Sequence, residues 1–496
     1  MHEPPSIPAH ARLAEAETCR RRGDLGRAQS LCEALLKEHP DYVGALQTLG
    51  VIHLARKNHQ QAFICFIQAV MHCPKDGVNQ TNLATACLRL GAREMAAQAL
   101  EQARRLNPED AVVYSTLAEI HRENREYELA AQCYRKVQEL LPAQAAAAHG
   151  LGDCYNHLGR GEEAAAALER AHRLNPNSVA ILYALGQLPA SATGIDLLSA
   201  LDRVHRQEAE EKHEFETCFA FTRAAALDRQ KRHREAWTSA VAANLREFPQ
   251  HEAAHRRHAV RMEAALQAAR DQPVLACPPR RDPVSLFIIG PSRSGKSTLE
   301  HLARRLEGVK RGHESRLVER AVRRTAQISG ILTTADANDL PLALDGRLRD
   351  VYARELQDFA PGARIITDTY PAIISYVGRI ATAIPQTRFV FMKREHDDLA
   401  LRIFMKHYRS GNHYAYDIKT IFEHLSWYDR MTDAWLEKLP GLALRIDYRE
   451  MIAEPGAALG RVAELCDVPV VSGALPQLTD DRDCALPYRK FIAAAR

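Results

Sequence analysis

The stretch "GPSRSGKST", Gly290 to Thr298, gathers two glycines, two cations and four hydroxyls within nine residues. An apolar run, "LFII", precedes it and a helical pattern follows. The glycines allow a tight turn. A helix starting near Lys296 aims free backbone amides and its positive dipole end at that turn. With Arg293, Lys296 and the hydroxyls of Ser294, Ser297 and Thr298, the loop is an oxyanion cradle. The spacing also fits G-x-x-x-x-G-K-[ST], in which the lysine reaches phosphates and the last hydroxyl holds magnesium. That second reading needs an acid at the end of another apolar strand, and "RIITD" offers Asp368. On the loop alone, a nucleoside triphosphate with magnesium and a different phosphate-bearing ligand both stand.

Short apolar runs must carry this loop. "VSLFIIG", "ARIITD", "TRFVFMK" and "LALRIDY" read as buried parallel strands, with helical stretches between them. Alternating strands and helices imply a mostly parallel sheet covered on both faces, with ligands at the carboxyl ends of its strands. "DQPVLACPPRRDP", with four prolines, breaks the helical pattern upstream and marks a linker at 271–284.

The first half has a different period. Prolines at 40, 74, 108, 142 and 176 are 34 residues apart, and twelve residues before each stands alanine: Ala28, Ala62, Ala96, Ala130 and Ala164. Large–small pairs recur at one phase, as in Leu49–Gly50 and Leu151–Gly152. The small residues let two helices of a hairpin approach closely, and each proline ends the second helix. The pattern resembles the tetratricopeptide repeat (TPR). Five clear units and a partial sixth, "VAILYALGQL", fill 9–188; a diverged helical extension fills 189–270, and an α/β domain fills 285–496. "FAFTRAAALDRQKRHREAWTSAVAANLREFP" reads as a last hairpin ending at Pro249. Stacked repeats form a superhelix whose concave face suits a protein partner or substrate. Tyr114, Tyr134 and Tyr155 fall at packing positions.

A net charge of +4 over 496 residues does not suggest a nucleic-acid protein. Eleven single cysteines without a C-x-x-C pair argue against a disulfide framework or zinc ribbon, and no spacing supports a metal site. No apolar run reaches the roughly 18 residues that span a bilayer. The expected location is cytoplasmic.

Beyond the loop, "VKRGHES", "ITDTYPAIISYVGRIATAIPQTRFVFMKRE" and "GNHYAYD…RIDYREM…DVP" extend a likeness over about 285–470. Together with "RSG" in the loop, they resemble the sulfotransferases, and within them the protein-tyrosine branch. The expected fold is therefore an all-α TPR superhelix followed by a P-loop-like α/β sulfotransferase domain. The resemblance implies 3′-phosphoadenosine 5′-phosphosulfate (PAPS) as co-substrate, without a metal. The acceptor would be a hydroxyl or amine, of a protein tyrosine or a saccharide.

It also implies roles. Arg293, Ser294, Gly295, Lys296, Ser297 and Thr298 surround the 5′-phosphosulfate, with Arg293 and Lys296 beside the reacting group. Glu314 takes the acceptor's proton, and Arg394 holds the 3′-phosphate. Three positions depart from the family pattern. Its D-K-x-P lysine is Thr369, a case in which Lys296 would supply the missing charge. A serine that assists the 3′-phosphate is Arg402, and the strand ends in Arg394-Glu395-His396. Arg489 or Lys490 would close over the donor. His301, His313 and His396 carry no assigned role. Two alternatives remain: a Walker A kinase or NTPase, and a TPR scaffold with an inactive second domain.

Overall fold

The computed structural model describes residues 7–204, 212–277, 283–331, 337–384, 386–408 and 411–496. Part of the expected linker, 278–282, lies outside the described residues. The chain divides into two compact units: Met1–Pro176 with Ser191–Gly194, and Asn177–Ala190 with Ile195–Arg496.

The first unit is a run of helix pairs: α1 (Ile7–Arg21) with α2 (Leu25–Glu38), α3 (Val43–Ala55) with α4 (His59–His72), and α5 (Gly77–Arg89) with α6 (Arg93–Leu106). Then follow α7 (Ala111–Glu123) with α8 (Tyr127–Leu140) and α9 (Ala145–His157) with α10 (Gly161–Leu174). The five periodic alanines are completely buried. A Cβ on Gly50 would overlap the Phe66 ring, so the small residue sets the spacing of that pair. Asp24, Asp76 and Asp110 cap α2, α5 and α7 by accepting from backbone amides. Tyr134 and Tyr155 are buried and Tyr114 is half-buried.

The second unit begins with α11 (Val179–Gly186), α12 (Leu197–Leu201), α13 (Lys212–Arg229) and α14 (His233–Asp271). Thus the expected sixth repeat helix, α11, packs with the second unit. Arg229 Nη2 donates to the carbonyls of Leu185 (2.9 Å) and Leu188 (2.6 Å), tying α11's end to α13. The expected hairpin end at Pro249 is also corrected: α14 runs straight through it. Beyond the proline, Met262, Leu266 and Ala269 are buried in the α/β core, and Trp427 donates to the Met262 carbonyl at 2.7 Å. That packing outweighs the roughly 3 kcal/mol a mid-helix proline costs.

The α/β part follows in the order β1 (Val284–Ile289), α15 (Lys296–Leu302), β2 (Val309–Lys310), α16 (Leu317–Ile328), α17 (Asp345–Phe359) and β3 (Ile365–Asp368). Next come α18 (Val377–Ala383), β4 (Thr387–Lys393), α19 (His396–Phe404), α20 (Ile418–Lys438) and β5 (Ala443–Asp447). The chain closes with α21 (Tyr448–Ala453), α22 (Pro455–Cys466) and α23 (Arg489–Ala495). Among the described residues the sheet is five-stranded and all parallel, ordered β2-β3-β1-β4-β5. Side chains alternate between two cores. Phe287, Ile289, Phe389 and Phe391 face one; Leu286, Ile288, Val390 and Met392 face the other. β1 lies at the centre, flanked by β3 and β4, so the loop after it opens where the strand order reverses.

Candidate functional site

β1 is buried along its whole length, and the chain leaves it through Gly290 into the loop. A Cβ on Gly290 would strike Ser294 Oγ, and one on Gly295 would overlap the Tyr448 ring. Arg293 (φ 68°) and Gly295 (φ 94°) both take left-handed conformations. A non-glycine residue there costs of order 1–3 kcal/mol, which the surrounding packing must hold. The turn delivers α15, whose first residue is Lys296.

Lys296 is buried and faces inward. Its Nζ donates to the carbonyls of Gly290 (2.8 Å) and Pro291 (2.9 Å), closing the loop on itself. Burial, and then Arg293, push its pKa down to about 7. Ser294 is buried and its Oγ has no hydrogen-bond partner. Ser297 is exposed and Thr298 half-buried on the first turn of α15. Arg293 donates through Nη2 to Gln187 Oε1 (3.4 Å), while its Nε is buried without a partner. Burial lowers its pKa and Arg402 adds to the effect. Ser292 Oγ and Tyr408 OH share a 2.9 Å hydrogen bond beside it.

A second segment, 311–315, lies against the end of β3. Glu300 of α15 is its anchor. This fully buried carboxylate accepts from Thr367 Oγ1 (2.7 Å), the His313 amide (2.8 Å) and Arg311 Nη2 (3.1 Å). Those partners outweigh desolvation and pull its pKa down to about 2. A Cβ on Gly312 would collide with the Thr367 carbonyl. Glu314, half-buried, is carried in the middle of this segment. Thr369 is buried behind it and donates its amide to the His313 carbonyl (2.7 Å). Asp368 ends β3 with both oxygens engaged: Oδ2 accepts from Ser315 Oγ (2.8 Å) and Oδ1 from the Tyr370 amide (2.8 Å). Burial, with Glu319 nearby, raises its pKa to about 8.

The end of β4 supplies more cations. Arg394 is buried, lies 4.1 Å over the Tyr448 ring, and donates to the Arg293 carbonyl (3.3 Å). Arg394 and Arg402 both pair with Asp481, as does the Tyr448 hydroxyl. Arg394 Nε and Arg402 Nε are buried without partners. Arg489 lies 3.8 Å from Asp397, and Lys490 lies over the Phe491 ring. Among the described residues, no group of three or more acids, histidines or cysteines is arranged to hold a metal.

A profile described as "Sulfotransferase family" matches residues 283–472, from the strand before the loop to beyond α22. A "Tetratricopeptide repeat" profile matches 13–70, 81–144 and 115–179. The chain carries a sulfotransferase-family domain behind tetratricopeptide repeats. An uncharacterized protein of Aquifex aeolicus (strain VF5) is 24% identical over 107 residues, 21% of this chain; the match spans 14% of that curated relative's length. Among solved structures, MamA is 23% identical over 32% of this chain and 93% of its own, with a TM-score of 0.31. YrrB, a TPR protein with an unusual peptide-binding site, is 20% identical over 36% and 92%, with a TM-score of 0.33.

Arg293, Arg394 and Arg402 cluster through Asp481, Tyr448 and Tyr408, with Ser294 next to Arg293 in the loop. Glu314 sits on a separate segment, tied to the loop through α15 by Glu300. Lys296 is engaged by the loop's own carbonyls. Glu300, Tyr408, Tyr448 and Asp481 escape a motif reading. Glu300 alone leaves a signal, an acid between Leu299 and Leu302 on a short helix. The others reach the site from distant segments.

Proposed function

We propose that the second domain transfers a sulfuryl group from PAPS to a hydroxyl or amine of an acceptor, leaving adenosine 3′,5′-bisphosphate. The observation that carries this reading is a set of buried donors without partners. They are Arg293 Nε and Ser294 Oγ in the loop after β1, Arg394 Nε just past β4, and Arg402 Nε in the last turn of α19; Arg402 shares Asp481 with Arg394. Buried polar groups of this kind are costly unless a ligand satisfies them. The donor set is cationic and hydroxylic, and so fits phosphate and sulfate oxygens.

In this reading Ser294, Gly295, Ser297 and Thr298 line the 5′-phosphosulfate, and Arg293 lies against the bridging oxygen. Lys296 supports that charge from behind, by holding the turn shut. Arg394 and Arg402 take the 3′-phosphate. In transfer, the bond from sulfur to the bridging phosphate oxygen breaks and a bond to the acceptor atom forms. The acceptor's proton passes to Glu314. The acceptor is a peptide tyrosine or a saccharide, which the repeat array would bind. A magnesium-dependent nucleotide enzyme is less well supported: both Asp368 oxygens are occupied by Ser315 and Tyr370. Among the described residues no helix is long and apolar enough to cross a membrane.

Thermal shift tests the reading. A ligand at a hundredfold excess over its Kd stabilises the native state by roughly 2.7 kcal/mol. Adenosine 3′,5′-bisphosphate is expected to raise the melting temperature equally with magnesium or with EDTA. A rise with magnesium–ATP only would refute it. Glu314→Ala is expected to abolish sulfuryl transfer and keep the bisphosphate shift.

A further inference from the structure

Arg394 and Arg402 already hold an anion from the chain itself. The segment after α22 returns across the end of β4, beyond the region that matches the sulfotransferase profile, and inserts Asp481 between them. Arg394 Nη2 donates to Asp481 Oδ1 (3.1 Å) and to its carbonyl (2.8 Å); Arg402 Nη1 pairs with Oδ2; Tyr448 donates its hydroxyl to Oδ1.

The charges are unequal. Arg293, Arg394 and Arg402 lie close enough that Arg402 depresses Arg293, and Arg394 donates to the Arg293 carbonyl. Besides Asp481, the nearby carboxylate is Asp398, 4.0 Å from Arg394 Nη2. It accepts from the amides of Asp483 (3.0 Å) and Ala485 (2.9 Å). With these two carboxylates beside three arginines, the Nε donors of all three arginines stay unsatisfied. A phosphate dianion brings more charge and a third acceptor oxygen to the same guanidinium groups.

We propose that Asp481 is an internal counter-anion that competes with the donor's 3′-phosphate for Arg394 and Arg402, and so sets the selectivity for nucleotides bearing that phosphate. The inference rests on the PAPS reading above. Its neighbours keep the segment in place whatever residue 481 carries. Asp398 caps the backbone at Asp483 and Ala485, Arg449 pairs with Asp483, and Tyr448 OH lies 3.4 Å from the Thr479 carbonyl. Replacing the carboxylate by an amide of the same shape therefore changes the charge between the two arginines and leaves the strap's other anchors intact.

Isothermal titration of the full chain and of Asp481→Asn tests this, with adenosine 3′,5′-bisphosphate, adenosine 5′-monophosphate and inorganic phosphate as ligands. The asparagine variant is expected to bind the bisphosphate at least tenfold more tightly and the monophosphate within twofold of the parent. Bisphosphate binding that is unchanged or weaker would overturn the inference, because the carboxylate would then only align the arginines. An equal gain for both nucleotides would also overturn it. If neither protein binds the bisphosphate, the PAPS reading fails, and inorganic phosphate decides the competition. Tighter phosphate binding by the variant supports it and unchanged binding overturns it. Tryptophan emission checks that the variant is folded, and Asp481→Ser carries the same readings should it not be.

Discussion

Glu300→Gln tests whether the buried carboxylate fixes the segment bearing Glu314. Glu300 is fully buried and held at about 2 by its hydrogen bonds, against an ordinary 4.5. At about 1.4 kcal/mol per pKa unit, its ionised form contributes roughly 3 kcal/mol to the folded state. Glutamine keeps the shape, loses that charge and leaves Arg311 without its buried anion, so a loss of about 3 kcal/mol is expected at pH 7. The assay is urea unfolding followed by tryptophan fluorescence. All three tryptophans, Trp237, Trp427 and Trp435, are buried in the second unit, so emission reports that unit. A folded pKa below the unfolded one contributes stability in full above about 4.5 and loses it as pH falls toward 2. The gap between parent and variant should therefore narrow by roughly 1.4 kcal/mol by pH 3.5. A loss under about 0.5 kcal/mol at pH 7, or an equal gap at both pH values, would refute the argument.

Three further outcomes are expected. Gly295→Ala places a Cβ into the Tyr448 ring at φ 94° and should abolish the bisphosphate thermal shift, as measured by differential scanning fluorimetry. Asp368 keeps its proton in the fold up to about pH 8, so it costs stability as pH rises from about 4 through 8. Asp368→Asn should remove that decline in urea unfolding and leave bisphosphate binding unchanged, whereas a magnesium site would be lost. His424 is buried, stacks 3.6 Å from Tyr414 and lies near His258; burial first, then the neighbouring histidines, hold its pKa well below 6.5. Stability of the second unit is then full above about pH 6.5 and falls below it, and His424→Phe should flatten that fall in the tryptophan signal.

What repeats or runs locally was largely legible in the sequence; the exceptions are α14, which packing into the α/β core carries through Pro249, and α11, which joins the second unit. The 34-residue period marks the buried alanines, because a close helix–helix approach admits no larger side chain. Four apolar runs became β1, β3, β4 and β5; the first three are continuously apolar because they are buried on both faces, while β5, at the sheet edge, is only partly buried. β2, two residues long, was too short to show a period. The glycines and cations of the loop were legible because a tight turn before a helix is a local object. Their engagements were not. Lys296 turns to the carbonyls of Gly290 and Pro291 because burial rewards the hydrogen bonds within reach. Asp481, Tyr448 and Tyr408 join Arg293, Arg394 and Arg402 from three later segments. Only the order of the strands and the return of the chain over β4 decide which distant charges meet. Coulombic and hydrogen-bond pairing depend on distance in space, which no local spacing encodes.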